Sequence, residues 1–349
     1  MQRRDMLIKS SALLAASALG GLSACATTPF QGPASDHFDG ERFFNPWGRS
    51  TNSFGRFLSW QFNREKAVWP EWVDNPPAEP TADRIGGSAL RASFVNHATV
   101  LLQTRDLNIL TDPVWSKRVS PLSFIGPSRV RDPGIAFADL PKIDVVTVSH
   151  NHYDHMDLPT LAKLMARDDP LIIVPLNNAH LIKSAAPDAR IAEVDWYDKV
   201  AIQPGIELRS VPAQHWSSRR GFDRNQSLWS AFVLETKDGP IYIAGDTGLG
   251  PHFEPEQQRY GGFRLALLPI GAYEPRWFMQ YQHMNPDDAV QAHALLKTDA
   301  SLAVHFGTFQ LTDEGIDAPV QDLTTALQAH GTATERFRAL TPGQGWDVT

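Results

Sequence analysis

The stretch "VTVSHNHYDHMD", residues 146–157, sets three histidines and an aspartate within six positions, directly behind an apolar, β-branched run. Ile143 to Val148 reads as a strand that ends in a loop. His150 and His152 are two residues apart, so near-extended backbone aims both side chains the same way. Asp154 and His155 follow. Then "MDLPTLAKLM" opens a helix, with Asp157 placed as N-cap and Pro159 in its first turn. Neutral imidazoles and carboxylates are the ligands that zinc accepts when thiolates are absent. Four donors in six positions exceed what one tetrahedral ion takes from one loop, which points to two metals.

Two ions need further ligands, and the chain offers three more at strand ends. His215 lies in "SVPAQHWSS", Asp246 in "IYIAGDTG" and His305 in "SLAVHFGTF". Each follows an apolar, strand-like run, the position where open α/β folds place their sites. A single such residue is more often a turn or capping group; all three occurring with H-x-H-x-D-H point to ligands. The one cysteine, Cys25, excludes an internal disulfide framework and any cysteine-rich metal site.

Working outward, strand-like runs recur from about residue 84: "ALRASFV", "TVLLQT", "LNILTD", "LIIVPL", "IELRSVPA", "SAFVLET" and "IYIAGD". Helical stretches such as "LPTLAKLM" and "NPDDAVQAHALLK" interrupt them. "KDG" between two of the runs is a hairpin turn signal. The pattern is α/β with a strong antiparallel element, without a short sequence repeat. With 349 residues, 42% hydrophobic content and a formal charge of −7, the chain can bury a large core. Its lysines and arginines are scattered, so no nucleic-acid partner is expected.

The N-terminus has a different character. Residues 1–24 carry a basic start (Arg3, Arg4, Lys9) and a small-residue, apolar stretch, the layout of an export signal. Arg3-Arg4 before "DMLIK" resembles a twin-arginine signal, and "LSAC", ending at Cys25, resembles a bacterial lipobox whose cysteine is lipidated. Residues 25–83 read as a Pro- and Gly-rich tether followed by an aromatic-rich segment from Phe43 to Trp72. That segment is either a lid packed on the main domain or an apolar surface facing a membrane. Residues 84–349 form the catalytic domain.

The ligand pattern resembles the metallo-β-lactamase superfamily, which implies a four-layer αββα sandwich. By that resemblance His150, His152 and His215 hold one metal, Asp154, His155 and His305 the other, and Asp246 bridges them. Two divalent ions are implied, zinc foremost, with iron and manganese also suited to His and Asp. Longer stretches, among them "SFVNHATVLLQ", "TDPVWSKRVSP", "GPSRVRDPGI" and "LPIGAYEPRWFMQYQHMNPDDAV", are similar to the branch of phospholipases D that hydrolyse N-acylphosphatidylethanolamine. The resemblance implies a phospholipid substrate and hydrolysis that releases phosphatidic acid and an N-acylethanolamine or related alcohol. Hydroxide held between the ions and oriented by Asp154 or Asp246 would attack phosphorus. His283 is the candidate proton donor or phosphate contact, and His97 is placed beside a ligand or in the core. Other members of this fold act on lactones or other phosphodiesters. A non-catalytic envelope lipoprotein that binds metal or lipid is the reading from another class, and its mark would be a missing ligand. The expected location is the bacterial envelope, lipid-anchored through Cys25 at a periplasm-facing membrane.

Overall fold

The computed structural model describes residues 29–349, apart from 49, 51 and 221. The signal segment 1–24 and Cys25 lie outside the described residues. Among those residues, fourteen strands form two seven-stranded sheets. In the first, β1 (Leu90–Asn96), β2 (Thr99–Thr104), β3 (Leu107–Thr111), β4 (Val145–Thr147), β5 (Leu171–Pro175) and β6 (Ile191–Val194) lie side by side in chain order, and β14 (Gly345–Val348) adds to the β1 edge. The second sheet repeats that plan in the next part of the chain, with β7 (Lys199–Gln203), β8 (Ile206–Val211), β9 (Ala231–Glu235), β10 (Ile241–Ile243), β11 (Leu265–Pro269), β12 (Ser301–Val304) and β13 (Phe337–Arg338). Each sheet is antiparallel at one side and parallel at the other: β3 to β6 and β10 to β13 run parallel. The expected hairpin at Lys237–Gly239 joins β9 to β10.

The strands are continuously apolar because both faces of each sheet are covered. Phe232, Leu234, Leu265, Leu267, Leu302 and Val304 point inward, against Leu102, Ile109, Val145 and Ile173 of the first sheet. Their neighbours Ala231, Val233, Ala266, Leu268 and Ala303 point outward, onto α4 (Phe253–Tyr260), α6 (Pro286–Leu295) and α7 (Ala318–His330). On the far side, Val146, Val148, Ile172 and Val174 pack on α2 (Leu158–Asp168) and α3 (Ala179–Lys183). Each fully buried Leu or Phe contributes roughly 1.5–3 kcal/mol of apolar transfer, so the middle layer is the main stabilising element. The result is the expected four-layer αββα sandwich.

Two short helices complete the set, α1 (Phe54–Phe62) and α5 (Arg276–Met279). Part of the aromatic-rich segment packs on the main domain, the first of the two readings. Phe43 is buried in the outer core of the second sheet, where it is joined by Phe38, so the end of the expected tether is packed core, and Trp60 of α1 stacks on Phe278 of α5 with ring centroids 5.1 Å apart. Phe57, Phe62 and Trp72 remain exposed. Asp157 sits at the N-cap of α2 as expected, but its carboxylate turns to another task. It accepts from the backbone N–H groups of Trp115 and Ser116 at 3.1 and 2.9 Å, tying down the loop after β3.

Candidate metal centre

The alternation of strand directions brings the carboxyl ends of β1, β3, β4, β8, β10 and β12 to one edge of the sandwich. The residues that follow them are His97, Asp112, His150, His215, Asp246 and His305, so one edge collects nearly every chemistry-bearing side chain. Three of these residues hold left-handed backbone: His97 at φ +48°, Asp112 at +36° and His305 at +65°. Such strain in non-glycine residues persists only where surrounding contacts fix it, and it clusters at functional sites. Two glycines permit the close approach. A Cβ on Gly245 (φ +60°) would lie 2.6 Å from Ser149 Cβ, and one on Gly271 would lie 2.1 Å from the His305 carbonyl oxygen.

The side chains converge as two adjoining groups. In the first, His152 Nδ1 lies 2.7 Å from His150 Nε2 and 3.3 Å from His215 Nε2. In the second, Asp154 Oδ2 lies 3.5 Å from His155 Nε2 and 3.4 Å from His305 Nε2. Asp246 Oδ2 reaches both, at 3.2 Å from His155 and His305, 3.7 Å from His215 and 4.0 Å from His150. Ligands about 2.05 Å from a tetrahedral zinc are separated by about 3.3 Å, so these spacings match donors arranged around cations. The seven residues read from the sequence as a ligand set are therefore brought together, with Asp246 between the groups.

Hydrogen bonds fix which ring nitrogen faces inward. His150 Nδ1 lies 2.9 Å from Ser149 Oγ, His155 Nδ1 lies 2.7 Å from Asp112 Oδ2, and His215 Nδ1 donates to the Gln282 carbonyl at 2.9 Å. Each turns Nε2 toward the centre, the arrangement that metal-ligating histidines use. His155 Nε2, His305 Nε2 and Asp246 Oδ1 are buried with no hydrogen-bond partner, which is costly unless something else engages them.

The charges make the same point. Asp112, Asp154 and Asp246 are all buried, and among the described residues no lysine or arginine pairs with them. Burial alone would push Asp154 and Asp246 up, but the surrounding histidines, His155 first, hold both well below the usual carboxylate range. Burial works against a charge on His305, yet Asp246 and Asp154 outweigh it and raise the imidazole to about 9. His150, His152 and His215 are instead pushed down by burial. The carboxylates also hold His155 well above its ordinary value, so Asp154 and Asp246 keep protons on His155 and His305 that two divalent cations would displace, and the five imidazoles and two carboxylates form a donor set that fits such ions.

His283 and His97 stand next to the cluster. His283 Nδ1 is 3.8 Å from Asp246 Oδ2 and has no hydrogen-bond partner, and burial pushes its imidazole down to about 3. Arg276 steadies that loop, donating to the His283 carbonyl at 3.0 Å and to Asp288 at 2.6 Å. His97 Nε2 meets Asp154 Oδ2 at 3.0 Å, and its carbonyl accepts from His305 N–H at 2.7 Å, so it supports two of the donors.

A β-lactamase superfamily domain matches residues 107–306. The chain belongs to the metallo-β-lactamase superfamily. An N-acyl-phosphatidylethanolamine-hydrolyzing phospholipase D of Caenorhabditis elegans is 33% identical over 330 residues, covering 89% of this chain and 92% of the worm protein. The mitochondrial protein of that name from Saccharomyces cerevisiae is 36% identical over 223 residues, 62% of this chain and 47% of its own. Among solved structures, the isothiocyanate hydrolase from Delia radicum gut bacteria superposes with a TM-score of 0.59 at 21% identity, over 73% of this chain and 98% of its own, a likeness of fold. As a metallo-β-lactamase-fold protein with its His and Asp cluster in place, the chain is a metal-dependent hydrolase.

Sequence reasoning assigned no role to Asp112 or Ser149. Ser149 Oγ donates to Asp112 Oδ2 at 2.7 Å while facing His150, so this pair orients two ligands at once. The signal was present: "LNILTD" ends in aspartate after an apolar strand, as "IYIAGD" does.

Proposed function

We propose that this metal-dependent hydrolase acts on lipid phosphodiesters as a phospholipase D, with N-acylphosphatidylethanolamine-type lipids as substrates and phosphatidic acid as a product. The observation that carries the reading is the cavity over the cluster, about 530 Å³ in volume. His152, Asp154, Asp246 and His283 line its floor, and Phe57, Trp60, Val119, Phe278, Met279 and Leu311 line its walls. A charged reaction centre beneath an apolar chamber suits a substrate with a phosphodiester attached to hydrocarbon. The exposed Phe57, Phe62 and Trp277 near its aromatic helices extend that apolar surface outward, and the C. elegans and S. cerevisiae relatives carry names of the same activity.

Two divalent cations, one held by His150, His152 and His215 and the other by Asp154, His155 and His305 with Asp246 between, would supply charge neutralisation at the phosphodiester and an activated water. Asp154 and Asp246 stay anionic throughout and fix the positions of the donors around the reacting phosphorus. His283 enters neutral, because burial holds its pKa low. It therefore serves better as a hydrogen-bond donor to a phosphoryl oxygen than as an imidazolium acid. The apolar walls exclude competing water from the chamber. The test is mass spectrometry of the products from N-acylphosphatidylethanolamine. Release of phosphatidic acid that Asp154→Asn abolishes and His283→Gln slows supports the reading, and release of fatty acid or no cleavage rejects it.

We also propose export and attachment to a periplasm-facing membrane through Cys25, on the strength of the twin-arginine-like start and the lipobox in residues 1–25. An anchor there would hold the cavity close to its substrate.

A further inference from the structure

A second chamber of about 320 Å³ opens beside the apolar cavity, and Asn52, Trp216, Arg224 and Gln282 wall both. Its character differs from that of its neighbour. Polar side chains such as Asn45, Asn52 and Asn225 share its lining with the rings of Phe43, Phe44 and Trp216, and His215 forms part of its wall. Two guanidinium groups border it, Arg42 and Arg224, and among the described residues no carboxylate contributes to the electrostatics of Arg224. Asp39 also lines the chamber, but its carboxylate accepts the backbone N–H groups of Glu41 and Arg42 at 3.0 and 2.8 Å.

Arg224 is the better placed of the two. Its guanidinium lies 4.3 Å from the ring centroid of Trp216, the residue after a metal ligand, which leaves its donor edge free. Arg42 donates to the Arg224 carbonyl and so braces it. Burial pushes Arg224 down from its ordinary value, Tyr281 opposes that and Arg42 adds to it. A half-buried cation without a counter-ion, at the joint between two chambers, is a charge waiting for a ligand.

The scissile phosphodiester already has the metal cluster and His283. A cationic chamber next to that centre calls for a second negative group on the same molecule. We propose that this chamber recognises an acidic head group of the phosphoserine type, with Arg224 holding the head-group carboxylate while the phosphodiester lies at the metal cluster. The assignment rests on the lipid phosphodiesterase reading and extends its substrates from N-acylphosphatidylethanolamine, which carries no carboxylate, to lipids whose head group does. The chamber's smaller volume and its arginine and asparagine side chains suit a compact head group, leaving the acyl chains to the apolar cavity.

Isothermal titration of the metal-replete full-length protein with O-phosphoserine and O-phosphoethanolamine tests this, because the two ligands differ only in the carboxylate. The wild type should bind phosphoserine more tightly by on the order of tenfold, the range for one charge-assisted hydrogen-bonded pair. R224Q should bring the ratio close to one, R224K should restore part of it, and R42Q should reduce it less than R224Q does. Equal affinities in the wild type would overturn the assignment. So would a preference that survives R224Q, which would send the carboxylate to the metals. An equal loss for both ligands in R224Q would make Arg224 a contact of the scissile phosphate instead. If the binding preference holds but neither phosphatidylserine nor N-acylphosphatidylethanolamine is cleaved, the chamber assignment stands and the phospholipase reading falls.

Discussion

Asp112 shows how a residue outside the donor set can govern it. One carboxylate accepts from Ser149 N–H and Ser149 Oγ, and lies 2.7 Å from His155 Nδ1, so it sets the loop carrying His150 and the tautomer of His155 together. Partners of this kind change metal affinity by about 10–100-fold when mutated. Asp112→Ala should therefore weaken metal retention by that order while the fold persists, as measured by competition with a chromogenic chelator; unchanged affinity would contradict the role. Glu256 makes a different argument. It is fully buried on α4, neither oxygen has a hydrogen-bond partner, and Arg259 Nε is 3.6 Å away. Burial raises its carboxyl to about 7, with Arg259 only partly offsetting the effect. A carboxyl whose folded pKa exceeds its unfolded value loses stability as pH rises between the two, with the full penalty above the folded pKa. Glu256→Gln should thus stabilise the protein at pH 8, by on the order of 2 kcal/mol, and leave it nearly unchanged at pH 4.5. Denaturant melts at the two pH values give the comparison, and an equal shift at both would show that ionisation is not the cause.

At the scale of elements, the start of α6 is linked to the site. Asn285 accepts from Asp288 N–H at 2.8 Å and Asp288 accepts back from Asn285 N–H at 3.2 Å, a reciprocal cap. Asp288 also takes Arg276, whose other Nη holds the His283 carbonyl. Asn285→Ala should cost about 1 kcal/mol of stability. Because the same contacts position His283, turnover should fall further than metal binding does. A variant with lower stability but unaltered kcat would separate the cap from the site. This helix was legible because Asn-Pro-Asp-Asp states its start, and β1 to β5 because their apolar runs are long and bounded by turns. The half-exposed β6 and β7 offered no such run. Helix α4, "FEPEQQRY", carries almost no apolar stripe, since Phe253 and the buried Glu256 provide its inward face.

For the whole molecule, the convergence of the seven side chains was readable because four of them fall within six positions and the other three each follow a strand. What the chain does not display locally is the pairing of distant strands: β14 beside β1, and two sheets built to one plan without a sequence repeat. The chambers above the site depend on that assembly and on Arg42, Asn52, Phe57 and Trp60 lining them, so neither the apolar cavity nor Arg224 had a local signature. The same assembly places the aromatic helix α1 at the cavity. Cys25→Ser should move the protein from the membrane to the soluble fraction of cells while the purified protein keeps its metal content; an unchanged membrane fraction would remove lipidation as the anchor. The central claim is that one edge of the sandwich holds two cations through seven side chains. Metal content per folded chain, measured by inductively coupled plasma mass spectrometry on wild type beside Asp246→Ala, tests it most directly. The account predicts close to two ions in the wild type and a clear loss in the variant, whereas one ion or none in an active wild type would contradict it.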